Sequence, residues 1–330
     1  MPPVTLDKYF TASLTIARLQ RLRPSPKTPV LDLVYPQAKQ DTYPKSRIPV
    51  ADLPSMVTNA PVVARGSASY AVSPDKTKVD GYEPLPIELE TTISDAALND
   101  LRNLTDENIQ AWLDLQGKKL KDMVVATVGA LTLQSLSGKL THSVQLSPGV
   151  FDTYSVDFGT PASFNAEVLF DAGAADITAV IDTGNRAADE LAKSGFDNNV
   201  IGFCGVKAFR YLVKLATMAN TKNFQITVTE NSVVFPGFTF RRLGSTYYDH
   251  KTKQNVKGVA DNKIVFVGND APFWLPYCSL DNAEAGFQPL PFWFGQKRNP
   301  NGKGYILTGE SKPFPVPIVK ALVWATVTAA

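Results

Sequence analysis

Thirteen of the chain's 24 prolines fall within its first ninety residues, a stretch that holds only two glycines. Proline fixes φ, removes a backbone donor and pushes the preceding residue to extended geometry. Pro24, Pro26, Pro29, Pro36, Pro44, Pro49, Pro54 and Pro61 therefore exclude a helix and predict extended segments and turns from 24 to about 92. Scarce glycine argues against a floppy tether. Apolar side chains such as Leu31, Leu33, Val34, Tyr35, Leu53, Met56 and Val62 cannot be buried on a stiff extended segment itself, so the expectation is an arm covered by something else.

The 330 residues are 44% hydrophobic and 19% charged, the composition of an ordered protein with one large or two medium cores. A net charge of +2 leaves sequence-specific nucleic-acid recognition without compositional support. Residues 1–50 carry eight basic against three acidic side chains. Arg18, Arg21, Arg23 and Lys27 read as a solvated charge run, with non-specific phosphate contact as the alternative. Two cysteines, Cys204 and Cys278, lack CxxC spacing, and the two histidines, His142 and His250, form no ligand cluster with them. Neither a metal site nor a disulfide framework is expected. No basic and apolar leader opens the chain and no apolar run approaches a membrane span, which points to a reducing, aqueous compartment.

Leu6, Phe10, Leu14, Ala17 and Leu22 predict a short amphipathic helix over 6–22. Turn chemistry at 72–76 and 79–82 makes 60–90 a projecting loop. A long helix follows at about 105–137, with Thr105 as N-cap, Asp106 and Glu107 in the first turn, and Ile109, Leu113, Leu120, Val124 and Leu131 on one face. At 1.5 Å per residue it spans roughly 50 Å, a spine rather than a pocket wall. Gly117 and Gly129 within it mark bending or close packing. Beyond it, 177–181 reads as a strand, 185–193 as a helix ended by Gly195, 200–203 as a strand and 206–216 as a helix. A hairpin about Glu230-Asn231, strands near 238–242, 245–248 and 263–267, and a returning strand at 315–327 complete an α+β chain.

Asp182-Thr183-Gly184 has the form of a retroviral-type aspartic protease motif, but the helical Asn185–Leu191 that follows does not suit a catalytic loop. Asp182 and Thr183 read more simply as helix N-caps. Ser137-Gly138-Lys139 and the 296–304 turn do not complete phosphate loops. Neither histidine has a serine or cysteine nucleophile in an elbow, and Cys204 reads as a small core residue. The aromatic run Phe273, Trp274, Tyr277, Phe287, Phe292, Trp293 and Phe294 reads as interior packing, with an interface as the alternative. No residue is assigned a catalytic, cofactor-binding or metal role.

Several runs, taken in order, carry a resemblance. They are the extended segment from Arg47-Ile48-Pro49 to Tyr82, the helix end Leu136-Ser137-Gly138-Lys139-Leu140-Thr141, Val156-Asp157-Phe158-Gly159, Val200-Ile201-Gly202-Phe203 with Ala208-Phe209, Val267-Gly268-Asn269-Asp270, Tyr277-Cys278, and Gly304-Tyr305-Ile306-Leu307-Thr308-Gly309-Glu310. In this order the chain resembles the major capsid (coat) proteins of tailed bacteriophages, specifically the lambda-like major capsid protein family. The resemblance implies the HK-ninety-seven-like α+β fold. Its parts would be an N-terminal arm at 1–45, an extended loop at 46–92, a peripheral domain at 93–165 with the spine helix, an axial domain at 166–304, and a C-terminal strand in 305–330 returning to the peripheral domain.

The implied function is self-assembly into hexamers and pentamers of an icosahedral phage head enclosing double-stranded DNA. The implied partners are further copies of the chain, a cement or decoration protein, a scaffold, a portal, and DNA held non-specifically, with no membrane. The implied location is the virion, assembled in the bacterial cytoplasm. No cofactor and no enzymatic activity are implied. The alternatives are a phage-associated aspartic-type hydrolase using Asp182 and a tail-tube or decoration protein. On the coat reading, removal of 1–45 is expected to leave a folded, assembly-defective subunit.

Overall fold

The computed structural model describes residues 6–11, 15, 18, 21–22, 26, 28–49, 53, 81–219, 226–300 and 304–329. Most of the predicted projecting loop, and the side chains of Val50, Met56, Val57, Val62 and Val63, lie outside the described residues. No helix of the described residues is long and apolar enough to cross a membrane.

The spine is α3, Asp106–Ser135, entered by helices α1, Pro29–Val34, and α2, Asp95–Leu101. Thr105 caps α3 by accepting the Asn108 N–H at 3.4 Å, and Asp106 and Glu107 complement the helix dipole. Gly138 past its end takes φ of 75°, a backbone that side chains rarely adopt. At thirty residues the helix is about 45 Å long. Its stripe of Ile109, Leu113, Leu120, Val124, Val128 and Leu133 is buried in the larger core. Two strands of the three-stranded antiparallel sheet β14-β15-β2, Trp293–Arg298, Tyr305–Ser311 and Ile87–Ile93, pack against this stripe.

A seven-stranded mixed sheet forms the second layer. Its order is β5-β16-β12-β6-β9-β8-β7, with ranges Ala162–Asn165, Leu322–Thr326, Lys263–Gly268, Val200–Cys204, Phe238–Arg242, Ser232–Phe235 and Thr227–Val228. Strand side chains alternate between faces. Ile201, Phe203, Val265 and Val267 enter the spine core, whereas Val200, Cys204, Ile264 and Phe266 enter a second core. Helices α4, Ile177–Ala192, and α5, Val206–Met218, cover that second core. Burial on both faces explains why β6 and β12 read as unbroken apolar runs. A Cβ at Gly202 would stand 2.8 Å from the Phe240 ring and 3.3 Å from the Phe266 ring, so only glycine fits under that aromatic cluster.

Two short hairpins complete the chain: β3–β4, Lys139–Ser147 with Val150–Asp157, and β10–β11, Thr246–Asp249 with Gln254–Lys257. Strand β1, Gln40–Tyr43, pairs in parallel with β13, Leu275–Cys278.

Four expectations change. The proline-rich stretch does contain a helix, because Pro29 occupies its first turn, where a missing N–H costs nothing and the fixed φ suits a helix. The side chains of Leu31, Val34 and Tyr35 are buried in the chain's own spine core, with Leu33 packed against it, so this part of the arm does find cover at home. Residues 177–181 are the first turns of α4 and not a strand. Asp176 is the N-cap, accepting Thr178 and Ala179 N–H groups at 2.9 and 3.4 Å, and Asp182 and Thr183 lie inside the helix. Its β-branched start suggests a strand, while the buried Val180, Thr183, Ala187 and Leu191 follow the helical period. The returning tail is a strand only over Leu322–Thr326, preceded by a 3-10 turn at Val319–Ala321, and it lies inside the seven-stranded sheet.

Within 6–22 the fold opens with a 3-10 turn at Asp7–Tyr9, and Thr15, Arg18 and Arg21 have helical backbone. Leu6 and Leu22 are buried and Phe10 is half-buried, while Leu14 and Ala17 lie outside the described residues.

Because Leu6, Tyr9, Val30, Val34 and Tyr35 belong to the spine core, deletion of 1–45 is now expected to unfold or strongly destabilise the subunit. Tyr35→Ala alone should cost about 3–5 kcal/mol by analogy with buried aromatic truncations. Chemical denaturation measures both; a 1–45 deletion with wild-type stability would show that this core assignment is wrong.

Candidate assembly surface

Four features determine what the subunit offers to other molecules, beginning with the N-terminal segment laid along the spine. The side chain of Arg18 is 1% exposed, with Nε donating to Asp114 Oδ1 of α3 at 2.6 Å and the guanidinium lying 4.9 and 5.8 Å from the Phe10 and Phe294 ring centroids. Arg21 adds a 3.4 Å ion pair to the same aspartate. Neither is a free phosphate ligand, and Arg18 is not solvated; Arg23 and Lys27 lie outside the described residues. The contact could not be read locally, since Asp114 is 96 residues away in the chain. Lys8 and Tyr9 reach Asp106 at 2.9 and 2.6 Å, and Lys121 donates to the Leu22 carbonyl at 2.7 Å. Both spine glycines prove to be close-packing sites: a Cβ at Gly117 would lie 3.0 Å from Phe294, and one at Gly129 would lie 2.6 Å from Thr28.

The second feature is a neck. Ile48 and Tyr82 exchange both backbone hydrogen bonds, at 2.9 and 2.8 Å, and Arg47 pairs with Glu83 at 2.6 Å. A Cβ at Gly81 would come within 2.7 Å of the Ile48 carbonyl, so the strands meet more closely than any other residue allows. Ile48 is fully buried with Leu140, Val156 and Phe314. The chain between 49 and 81 is thus anchored at both ends by one bridge.

The hairpins supply the third. Asp249 of β10 accepts a very short hydrogen bond from Ser143 Oγ of β3 and another from Thr252, and these partners hold its carboxyl down at about 2. Lys251 reaches Thr153 at 2.7 Å, and His250 stacks on Phe151 with ring centroids 5.6 Å apart. His142 and His250 therefore do come together, with no cysteine beside them. Burial, followed by the field of His250, depresses the His142 pKa below its ordinary value near 6.5, against an opposing pull from Asp249. A groove of about 640 Å³ lies between the hairpins, the spine, Pro26 and residues 28–30, and both histidines line it. A hydroxyl, a carboxylate and two imidazoles adjoin here: the Ser143 hydroxyl donates to Asp249, and His142 Nδ1 faces the Gln134 amide nitrogen at 3.3 Å.

Exposed apolar side chains are the fourth. They gather at Leu146 and Val150 on the hairpin tip, at Leu115 and Met123 on the spine, and at Met218, Val228 and Val234 near the β7 edge. Of the aromatic run, Phe273, Tyr277, Phe292, Trp293 and Phe294 are buried, Trp274 is half-buried, and Phe287 is 60% exposed. No sequence signal separates Phe287 from its buried neighbours.

The other candidates stand apart from these features. Asp182 is exposed in the middle of α4 and is not in a loop, so the protease-like motif has no catalytic geometry. Cys204 and Cys278 are both buried free thiols; burial raises Cys278 to about 12 and Cys204 well above its ordinary range, which leaves them inert. No group of His, Cys, Asp and Glu among the described residues is arranged to hold a metal ion.

The sequence from 11 to 327 matches the model of the family described as phage major capsid protein E. The chain belongs to that family. A comparison with curated proteins finds no match. Among solved structures, the fold is similar to a prophage protein of E. coli CFT073 named as a candidate capsid protein. Identity is 13%, coverage 99% of this chain and 100% of that one, and the TM-score 0.63. Capsid chains of the cyanophage P-SCSP1u and of Gordonia phage Cozz align at TM-scores of 0.47 and 0.46. Their identities are 10% and 14%, covering 88% and 93% of this chain and 86% and 89% of theirs.

The coat subunit thus has the HK-ninety-seven-like fold, and its family is one of phage major capsid proteins.

The hairpin pair should be acid-sensitive. His142 has a folded pKa below its unfolded value, so the unfolded chain binds more protons and stability falls as pH drops through about 6.5. Asp249, also depressed, adds a loss between about 3.8 and 2. The thermal midpoint is expected to fall between pH 7.5 and 5.5, and to fall less in His142→Gln, as scanning calorimetry would measure.

Proposed function

We propose that the chain is the major subunit of an icosahedral phage head, assembling with further copies into hexamers and pentamers around double-stranded DNA. The observation that carries this reading is the family match over 11–327. Supporting it, the neck at Ile48–Tyr82 anchors the intervening chain at both ends, and apolar side chains stay exposed at several separate places. Such surface becomes favourable at about 25 cal/mol per Å² once covered by neighbours.

On this reading 1–45 is the arm, 46–92 the extended loop, 93–165 with 305–330 the peripheral domain and 166–304 the axial domain. Strands β5 and β16 tie the last two together by entering the axial sheet. The subunit works without catalysis in the virion after assembly in the bacterial cytoplasm. Scaffold, portal and cement proteins are its further partners, and it meets DNA through non-specific contacts.

Sedimentation and negative-stain microscopy of the purified protein, alone and with the assembly factors of its phage, test the reading. Closed shells are expected, and a compact monomer under all conditions would sink it. Gly81→Val should keep the fold while disrupting the neck, since its side chain meets the Ile48 backbone. The expected result is an unchanged thermal midpoint with shell yield reduced at least several-fold; normal yield would remove the loop from the assembly mechanism.

A further inference from the structure

The two ends of the seven-stranded sheet are unlike. Strands β5 and β7 are its edges among the described residues, with α4 packed over β16 and α5 over β7 and β9. At the β5 end, Asp182 and Asp189 lie exposed two turns apart on α4, and Glu167 is exposed just past β5. Arg186, the cation between the aspartates, turns away onto the Phe164 ring at 4.5 Å and reaches Glu167 at 4.0 Å. Glu190 and Lys193 neutralise each other at 2.6 Å.

The β7 end has the opposite sign. Arg210 and Lys214 are exposed one turn apart on α5, and Arg241 and Arg242 are exposed at the end of β9. None of these four has an ion pair among the described residues; Glu230 is exposed in the β7–β8 turn, next to Asn231, whose carbonyl accepts the Arg242 N–H at 3.0 Å. Like charges at i and i+4 repel and weaken a helix, so Arg210 and Lys214 do nothing for α5 itself. Each end also exposes apolar surface: Met218 one turn beyond Lys214 and Val228 on β7 at the basic end, and Val168 next to Glu167 at the acidic end.

Like end against like end would set each patch on its own charge; joined head to tail the two ends match, and head-to-tail contacts close into rings when the rotation between copies allows closure. Resting on the coat reading above, we infer that the basic α5–β7 end of one copy docks on the acidic α4–β5 end of the next, and that this contact sets the direction in which copies join into a ring. The aliphatic side chains supply the buried centre, while the charges steer the encounter and reject the reverse orientation.

Charge reversal provides the test, with wild-type shells as the control. Arg210→Glu with Lys214→Glu, and separately Asp182→Lys with Asp189→Lys, should keep the thermal midpoint and lower shell yield at least tenfold. The four reversals together in one chain should restore assembly, because the ends again differ in sign. The milder pair Arg210→Gln and Lys214→Gln removes the charges without new repulsion, and should lower yield most at low ionic strength and leave it less salt-dependent than the wild type, even if the reversed chains fold poorly.

Normal shells from the single-end variants, or no recovery in the quadruple variant, would overturn the inference. So would normal empty shells that fail only to retain DNA, which would place α5 against nucleic acid. Failure of the wild type to form shells counts against the coat reading itself.

Discussion

Alternating side chains on β6 and β12 hold the subunit together, because they are the shared wall of two cores. Ile201, Phe203, Val265 and Val267 complete the packing around the spine, and Val200, Cys204, Ile264 and Phe266 complete the packing under α4 and α5. A slip of one residue in either strand would exchange the two sets, so the register is fixed from both sides at once. Gly202 relies on the same wall, since the Phe240 and Phe266 rings occupy the place of its side chain. With both faces of β6 and β12 committed, the sheet has its outer strands and the outer faces of its helices to offer another molecule.

The spine is joined to this wall at its far end. Trp324 of β16 donates its indole N–H to the Leu136 carbonyl at 3.0 Å, satisfying one of the acceptors that a helix end leaves without an intrahelical partner. At the other end the spine receives the N-terminal segment, with Asp106 and Asp114 gripping Lys8, Tyr9, Arg18 and Arg21. Arg18 is the demanding member of this set. Removing a guanidinium from water is costly unless it is paired, and the Asp114 bond and two aromatic faces offset that cost while Nη1 is buried with no hydrogen-bond partner among the described residues. A segment held on these terms is part of the folded subunit.

Local signals found the spine almost to the residue, because Thr105, Asp106, Glu107 and the apolar stripe all act within a few turns. They also found β6, α5 and β12, where apolar period and length agree. They failed where a residue plays an exceptional role. Pro29 forbids a helix in general and starts one in its first turn, and Ile177, Thr178, Val180 and Ile181 prefer strands in general while Asp176 caps them into a helix. Long-range chemistry was silent altogether. Nothing near Arg18 in sequence announces Asp114, nothing near His142 announces Asp249, and the parallel pairing of β1 with β13 joins segments more than two hundred residues apart. The order of weak motifs carried the family, because order along a chain survives when each local signal is faint.

Phe287 illustrates how such a subunit can be complete and unfinished together. It is a non-glycine residue with φ of 53°, a conformation that costs roughly 1–2 kcal/mol. Its N–H bonds to the Asn282 carbonyl at 3.1 Å, and its own carbonyl receives the Ser279 hydroxyl. The loop therefore determines the strained backbone and leaves the phenyl ring largely in water, where the ring returns little to the fold of this chain. The same holds for Met218 beyond the basic stripe and for Leu146 and Val150 on the hairpin tip. Single exposed apolar groups are ordinary on any protein. Here they are set on a hydrogen-bonded turn, the end of α5 and a braced hairpin, and on the proposed coat reading such supports leave little further ordering to be done when neighbouring copies cover them.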